Sequence, residues 1–103
     1  MIQDLKILKY KSIVLHLNSR VLHINKNKIF LRNKEFSLME YFLKNIGMIL
    51  TRTQILEDVW DMNICCATNT IDVHVSRLRK KLKNLFKKDL IKTVHCIGYL
   101  FGE

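Results

Sequence analysis

Proline is absent from this 103-residue chain, and glycine occurs only at Gly47, Gly98 and Gly102. Without them no flexible or polyproline linker divides it, and its length suits a single domain. Acidic residues are scarce: nine Asp and Glu stand against 18 Lys and Arg, a formal net charge of +9. An excess of that size points to a polyanion, either nucleic acid or an anionic membrane surface. Uncharged apolar runs all fall well short of the ~20 residues that a membrane span needs. Asp4 and Lys6 interrupt the start before the apolar stretch of a signal peptide can form. Cysteine is limited to Cys65, Cys66 and Cys96, with no CxxC spacing. Three thiols cannot all pair within one chain, and adjacent ligands rarely face one ion. The expectation is a reducing, cytoplasmic setting with no metal and no cofactor. No Ser/His/Asp set, paired carboxylates or phosphate-cradling glycine loop is present, so no enzyme is expected.

What the chain does have is a change of hydrophobic period. Short apolar stretches at Leu5–Tyr10, Ile13–Leu17, Arg20–Ile24 and Lys28–Leu31 are separated by Lys11-Ser12, Asn18-Ser19 and Asn25-Lys26-Asn27. Turn residues at that spacing predict a small antiparallel meander. From there Phe36, Met39, Phe42 and Leu43 recur at helical spacing, with Lys34, Glu35, Glu40 and Lys44 opposite. This helix, about 33–45, is expected to stop before Gly47. Thr51-Arg52-Thr53-Gln54 is a capping-box pattern that opens a second helix, 51–60, with Ile55, Leu56, Val59 and Trp60 as its buried stripe. Residues 61–68 lack periodicity and read as a loop. A third helix follows over about 69–85, and Ile91–His95 with Tyr99–Phe101 forms a hairpin. The order predicts an α+β fold with a helix-turn-helix centre.

On a helical wheel of the third helix, Ile71, Val75, Leu78 and Leu82 fall on one narrow stripe. The opposite side collects Thr70, Val73, Arg77, Lys80 and Lys81, with His74 at the edge. Arg77 to Lys92 holds eight basic residues and one acid, Asp89. A solvated charged face is the ordinary explanation of such a pattern. Here the charge is concentrated on one helix and its exit, and the core stripe leaves that face free to enter a groove. Arginine suits guanine edges, Thr70 and Val73 suit thymine methyls, and lysine serves phosphates. Asp72, Arg79 and Lys83 share a flank and are expected to pair locally.

The sequence Asn69-Thr70-Ile71-Asp72-Val73-His74-Val75-Ser76-Arg77-Leu78-Arg79-Lys80-Lys81-Leu82, with Trp60 before it and Thr93-Val94 and Gly98-Tyr99 after it, resembles the effector domain of OmpR/PhoB-type response regulators. Glu35-Phe36-Ser37-Leu38 and Thr51-Arg52-Thr53-Gln54-Ile55-Leu56 fit the same pattern, and the likeness covers residues 13–101. The run Trp60-Asp61-Met62-Asn63 with Thr68-Asn69 is similar to the heavy-metal-responsive branch.

The resemblance implies a winged helix: a four-stranded N-terminal sheet, three helices and a hairpin wing. It implies sequence-specific double-stranded DNA binding by a two-component transcriptional regulator. The third helix would lie in the major groove and the wing at the adjacent minor groove. Thr70, Val73, His74 and Arg77 would then face bases or nearby phosphates. Trp60, Asn69, Arg79, Thr93 and Tyr99 would hold the DNA backbone, joined by Lys80 and Lys81. His95 stands at a wing position that often carries Arg, and Asn69 where Arg is frequent. Arg32 replaces the usual Thr or Ser ahead of the first helix, which leaves Asn33 as the expected cap. Asp61, Met62, Asn63, Ile64, Cys65, Cys66, Ala67 and Thr68 match the loop that contacts RNA polymerase in this family. No receiver domain is recognisable, so a receiver and its cognate histidine kinase are implied partners only of a longer protein. The isolated domain is expected to be monomeric and to bind in tandem. Two other readings compete: the cytoplasmic domain of a membrane-anchored activator, and a basic RNA- or ribosome-associated protein. The latter usually presents exposed aromatics on a sheet or groove, whereas Phe36, Phe42 and Trp60 lie on helix core faces.

Overall fold

The computed structural model describes residues 7–60, 69–86 and 88–102. The chain opens with β1 (Ile7–Tyr10), β2 (Ile13–His16), β3 (Val21–Ile24) and β4 (Asn27–Ile29), an antiparallel sheet in sequence order. Two-residue turns fix its register. Tyr10 faces Ile13 across Lys11-Ser12, and Ile24 faces Asn27 across Asn25-Lys26. Asn25 and Lys26 both adopt positive φ, 52° and 73°, which matches the right-handed twist of the flanking strands. Asparagine tolerates that conformation better than most residues. The alternation buries Ile13, Leu15, Leu22 and Ile24 and leaves Val14, His16, Val21 and His23 half-covered on the other face.

The first helix, α1 (Asn33–Lys44), lies against this sheet and buries Phe36, Leu38, Met39, Phe42 and Leu43. Its N-cap is Arg32, not the expected Asn33. A guanidinium cannot accept a hydrogen bond. The helix end is therefore closed from the other direction, by the Arg32 N–H donating to Glu35 Oε1 at 2.9 Å. Asn33 instead accepts from Arg20 through its side-chain oxygen, at 2.8 Å. Glu35, expected on the polar side, is 1% exposed. The α1 helix ends at Asn45, and Gly47 turns the chain at φ 82°.

The sequence reading missed a strand, β5 (Ile49–Thr51), which leads into α2 (Arg52–Ile55). Thr51 caps α2 as expected: its Oγ1 accepts from the Gln54 N–H, and the Gln54 side chain accepts from the Thr51 N–H. The predicted 51–60 helix is α-helical only to Ile55 and continues as a π-helical turn, Leu56–Trp60. Such wide turns are rare and favour functional sites. Ile55 and Leu56 are buried, whereas Val59 and Trp60 are half-buried. The third helix, α3 (Asn69–Phe86), runs 18 residues and buries Ile71, Val75, Leu78 and Leu82 to 1% exposure or less. The wing is β6 (Ile91–Val94) and β7 (Gly98–Phe101), turned by His95-Cys96-Ile97 with Cys96 at φ 62°.

The second sheet runs β5-β7-β6, with Thr51 opposite Gly98. A Cβ on Gly98 would sit 2.0 Å from the Leu50 carbonyl oxygen, so only glycine permits this approach. Aromatic rings join the layers. Phe42 of α1 stacks on Phe101 of β7 with centroids 6.0 Å apart, and Tyr10 of β1 meets Phe101 edge-on at 5.4 Å. Among the described residues, no helix is long and apolar enough to cross a membrane.

Candidate nucleic-acid interface

Three charged side chains of α3 reach neighbouring elements and fix how the helix is presented. At its start, Asp72 Oδ1 accepts from Arg52 Nε at 3.1 Å and from the Tyr99 hydroxyl at 2.5 Å. The Arg52 guanidinium also lies 5.1 Å from the centre of the Tyr99 ring. Burial and the bond to Asp72 push the Tyr99 hydroxyl above its usual pKa. In mid-helix, Arg79 Nε donates to the Ile91 carbonyl, and its terminal nitrogen donates to Thr93 Oγ1, both at 3.1 Å. Two residues on, toward the other side of the helix, Lys81 Nζ donates to Glu35 Oε1 at 2.5 Å and to the Phe30 carbonyl at 3.1 Å. Thus α3 is tied to α2 and β7 at its start, to the wing at its middle, and to α1 and the chain after β4.

These contacts correct two expectations. Asp72 does not pair with Arg79 and Lys83. Arg79 is two helical turns away from it and reaches the wing, while Lys83 lies 3.5 Å from Asp89. Lys81 is not a free cation on the outward face. Its flexible stem bends around the helix to neutralise a carboxylate that would otherwise be buried uncompensated. Burial by itself would raise the Glu35 pKa. The bonds from Lys81 and the Arg32 N–H, with the charges of both residues, outweigh it and hold the carboxyl below its ordinary value. Tyr99 is 4% exposed, so the structure gives it a supporting place and not a surface one.

Outward from α3 stand Thr70, Val73, Ser76, Arg77 and Lys80, all exposed. Val73 is 45% exposed, a high value for a valine on a helix whose other aliphatic side chains are covered. Val73, Ser76, Arg77 and Lys80 border a shallow depression together with Asp72. Among the described residues, no hydrogen bond or ion pair holds the side chains of Arg77 and Lys80. Beside this ridge, His74 meets the Trp60 ring edge-on with centroids 5.2 Å apart, and its Nδ1 lies 2.8 Å from the Thr70 carbonyl. Lys34 sits 5.6 Å from the centre of the indole and donates to the Val59 carbonyl, closing the π-turn. The wing contributes exposed Thr93 and His95. Thr70, Val73, His74, Arg77, Arg79 and Lys80 are therefore arranged along α3 and Thr93 and His95 on the adjoining wing, with Trp60 of the π-turn against His74. Asn69 begins α3. Residues 61–68, with the polymerase-loop expectation, the metal-branch likeness and Cys65 and Cys66, lie outside the described residues. Cys96 is exposed at the wing tip.

Sequence reasoning overlooked Arg52, whose only visible signal was its place inside the capping box. Its role shows once Asp72 is brought to it from 20 residues away.

A four-stranded antiparallel sheet, three helices and a hairpin packed beside an outward-facing basic helix define a winged helix, the architecture of a transcriptional DNA-binding domain. The family model described as "Transcriptional regulatory protein, C terminal" matches residues 26–101, and the chain belongs to that family, as an effector domain of the OmpR/PhoB response-regulator type. It is 44% identical over 88 residues to the transcriptional regulatory protein CusR of Escherichia coli (strain K12), covering 85% of this chain and 39% of that protein. It is 34% identical over 96 residues to the transcriptional regulatory protein CiaR of Streptococcus pneumoniae, covering 93% of this chain and 43% of that one. The chain thus spans about two fifths of the length of these curated relatives. Among solved structures it resembles the Klebsiella pneumoniae RstA DNA-binding domain in complex with the RstA box, with TM-score 0.84 and 26% identity. That likeness covers 94% of this chain and 97% of the RstA chain. The AdeR DNA-binding domain in complex with an intercistronic region gives TM-score 0.83 at 25% identity, over 92% of this chain and 98% of that one.

Proposed function

We propose that this domain reads double-stranded DNA with α3 in the major groove and the β6–β7 wing at the adjacent minor groove. The observation that carries the reading is the outward ridge of Thr70, Val73, Arg77 and Lys80 on a helix whose Asp72, Arg79 and Lys81 are engaged with neighbouring elements. An exposed valine flanked by a threonine and an unpaired arginine is a base-reading surface: methyl contacts for thymine and a fork for guanine. His74, Arg79, Thr93 and the Trp60 N–H lie beside it as phosphate contacts, and Asn69 at the start of α3 is assigned the same role. Lys80 joins them. Lys81 and Tyr99 act through the contacts that hold α3 in place, and His95 approaches the minor groove. The RstA and AdeR domains, solved with DNA, share this fold over almost their whole length.

In a longer protein, a receiver domain and a cognate histidine kinase would control the domain, and residues 61–68 would contact RNA polymerase. By itself the domain is a monomer that occupies direct-repeat half-sites in tandem, about one helical turn apart. Its test is a binding profile over all single-base variants of a selected site, repeated over a range of salt. Wild-type binding should show a log–log salt slope of roughly −4 to −6, at about −0.9 per phosphate. Arg77→Ala should cost about 1–3 kcal/mol and relax specificity at one base pair. A uniform loss across all variants would reduce Arg77 to a phosphate clamp and move base reading elsewhere.

A further inference from the structure

Arg32 occupies the cap of α1 without acting as one. Its backbone is extended there, at φ −71° and ψ 166°, and its side chain makes no cap hydrogen bond. Glu35 satisfies that helix end instead. Arg32 lines a cleft of about 440 Å³ between the start of α1 and α3, together with Glu35, Arg77, Lys80 and Lys81. Four cations and one carboxylate therefore share one recess. Lys81 already neutralises Glu35, with Nζ and Oε1 2.5 Å apart. Arg32, Arg77 and Lys80 remain, all exposed and with no side-chain hydrogen bond or ion pair among the described residues, and only Arg32 adds its charge to the field on Glu35.

Three like charges converging on one recess repel one another until an anion fills it. The recess adjoins the base-reading ridge, because Arg77 and Lys80 line both it and the depression beside Val73 and Ser76. An anion held by Arg32 thus belongs to the same polyanion that α3 engages. We propose that Arg32, with Lys80, grips a backbone phosphate of the bound duplex at the edge of the major groove, extending the footprint from α3 onto the start of α1. This rests on the DNA-binding reading above. A planar guanidinium held at a helix start is well suited to bidentate phosphate contact.

The decisive variant is Arg32→Thr, which removes the cation and supplies a competent capping side chain, so the fold is kept. Arg32→Lys keeps the charge, and a thermal melt of each variant checks folding. Measured by fluorescence anisotropy on a selected duplex, Arg32→Thr should weaken binding about 3- to 10-fold at physiological salt, alike for every single-base variant. Its salt slope should fall in magnitude by about one, the signature of one lost phosphate. Arg32→Lys should retain most of the affinity and the full slope. If the wild type binds duplex steeply but Arg32→Thr keeps its affinity and slope, the Arg32 assignment is overturned while the DNA reading stands. A wild-type affinity indifferent to salt would overturn both. The assignment also fails if inorganic phosphate, at fixed ionic strength, raises the melting temperature of the wild type but not of Arg32→Thr while the duplex slope is unchanged. The recess would then hold a free anion.

Discussion

His74 donates its Nδ1 hydrogen to the carbonyl oxygen of Thr70, one turn earlier in α3, across 2.8 Å. A carbonyl can only accept, so this contact fixes the tautomer and leaves Nε2 bare while the ring is neutral. A bare nitrogen cannot donate to a phosphate oxygen, whereas a side-chain amide always carries a donor. At constant ionic strength and pH, His74→Gln should therefore hold or tighten duplex binding, and His74→Ala should not, if a phosphate lies against this position. If both variants bind every sequence as the wild type does, His74 makes no phosphate contact.

Stability should carry its own acid signature through Glu35. The depressed pKa of this carboxyl means that the folded state binds its proton less readily than the unfolded chain does. Its contribution is complete above the ordinary carboxyl value of 4.5 and is lost as pH falls through the lower folded value. Glu35→Gln should cost about 1–3 kcal/mol at neutral pH, by weakening the bond to a partly buried lysine. In denaturant titrations the gap between the two proteins should narrow below about pH 4. A gap constant from pH 7 to pH 3 would mean that charge plays no part in it.

Removing the Tyr99 hydroxyl alone isolates the Asp72 hub. Tyr99→Phe keeps the ring beneath Arg52 and deletes one of two donors to Asp72 Oδ1. The expected loss is about 0.5–1.5 kcal/mol of folding stability. Because α3 is still held by Arg79 and Lys81, specificity at each base should be unchanged. A relaxed base preference in the binding profile would instead place Tyr99 in readout.

Gly98→Ala tests the close approach of two strands. The added methyl falls 2.0 Å from Leu50 O and 2.8 Å from Thr51 Cα, both backbone atoms that cannot swing aside. Destabilisation should reach about 3 kcal/mol, the upper part of the range for overpacking. Amide hydrogen exchange should show the loss first at Ile49–Thr51 and the wing. Near-wild-type stability would mean that β5 is not paired there in solution.

Much of this fold is legible in the amino-acid order because it is written in local periods. The stripe of Ile71, Val75, Leu78 and Leu82 lies within one helix, and all four are buried as expected. Turn residues likewise place the first sheet to within two residues at the strand ends that can be compared. The Thr51 cap needs only Gln54, three positions on. What escapes the sequence is whatever depends on distant partners. The β5 strand is three residues long and becomes a strand only by pairing with Gly98–Leu100. Glu35 looks like an ordinary polar-face residue until Lys81 arrives from 46 positions away. Lys81 looks outward on a wheel because a wheel ignores the length and bend of a side chain. Asp72 and Arg79 sit on a flank there, and nothing local shows that they reach Tyr99, Arg52 and the wing instead of each other.

The pairing of Thr51 with Gly98 closes a ring of chain. Everything from α2 to the wing tip hangs between two backbone segments that are hydrogen-bonded at their base. Inside that ring, α3 is held by its own ties to α1, α2 and the wing. Residues added between α2 and α3 would then cost little beyond closure entropy, about 0.6 kcal/mol for a doubling of the segment. An insertion there moves neither end of the ring, so the helix should keep its orientation on the body of the domain whatever the length of chain that leads into it.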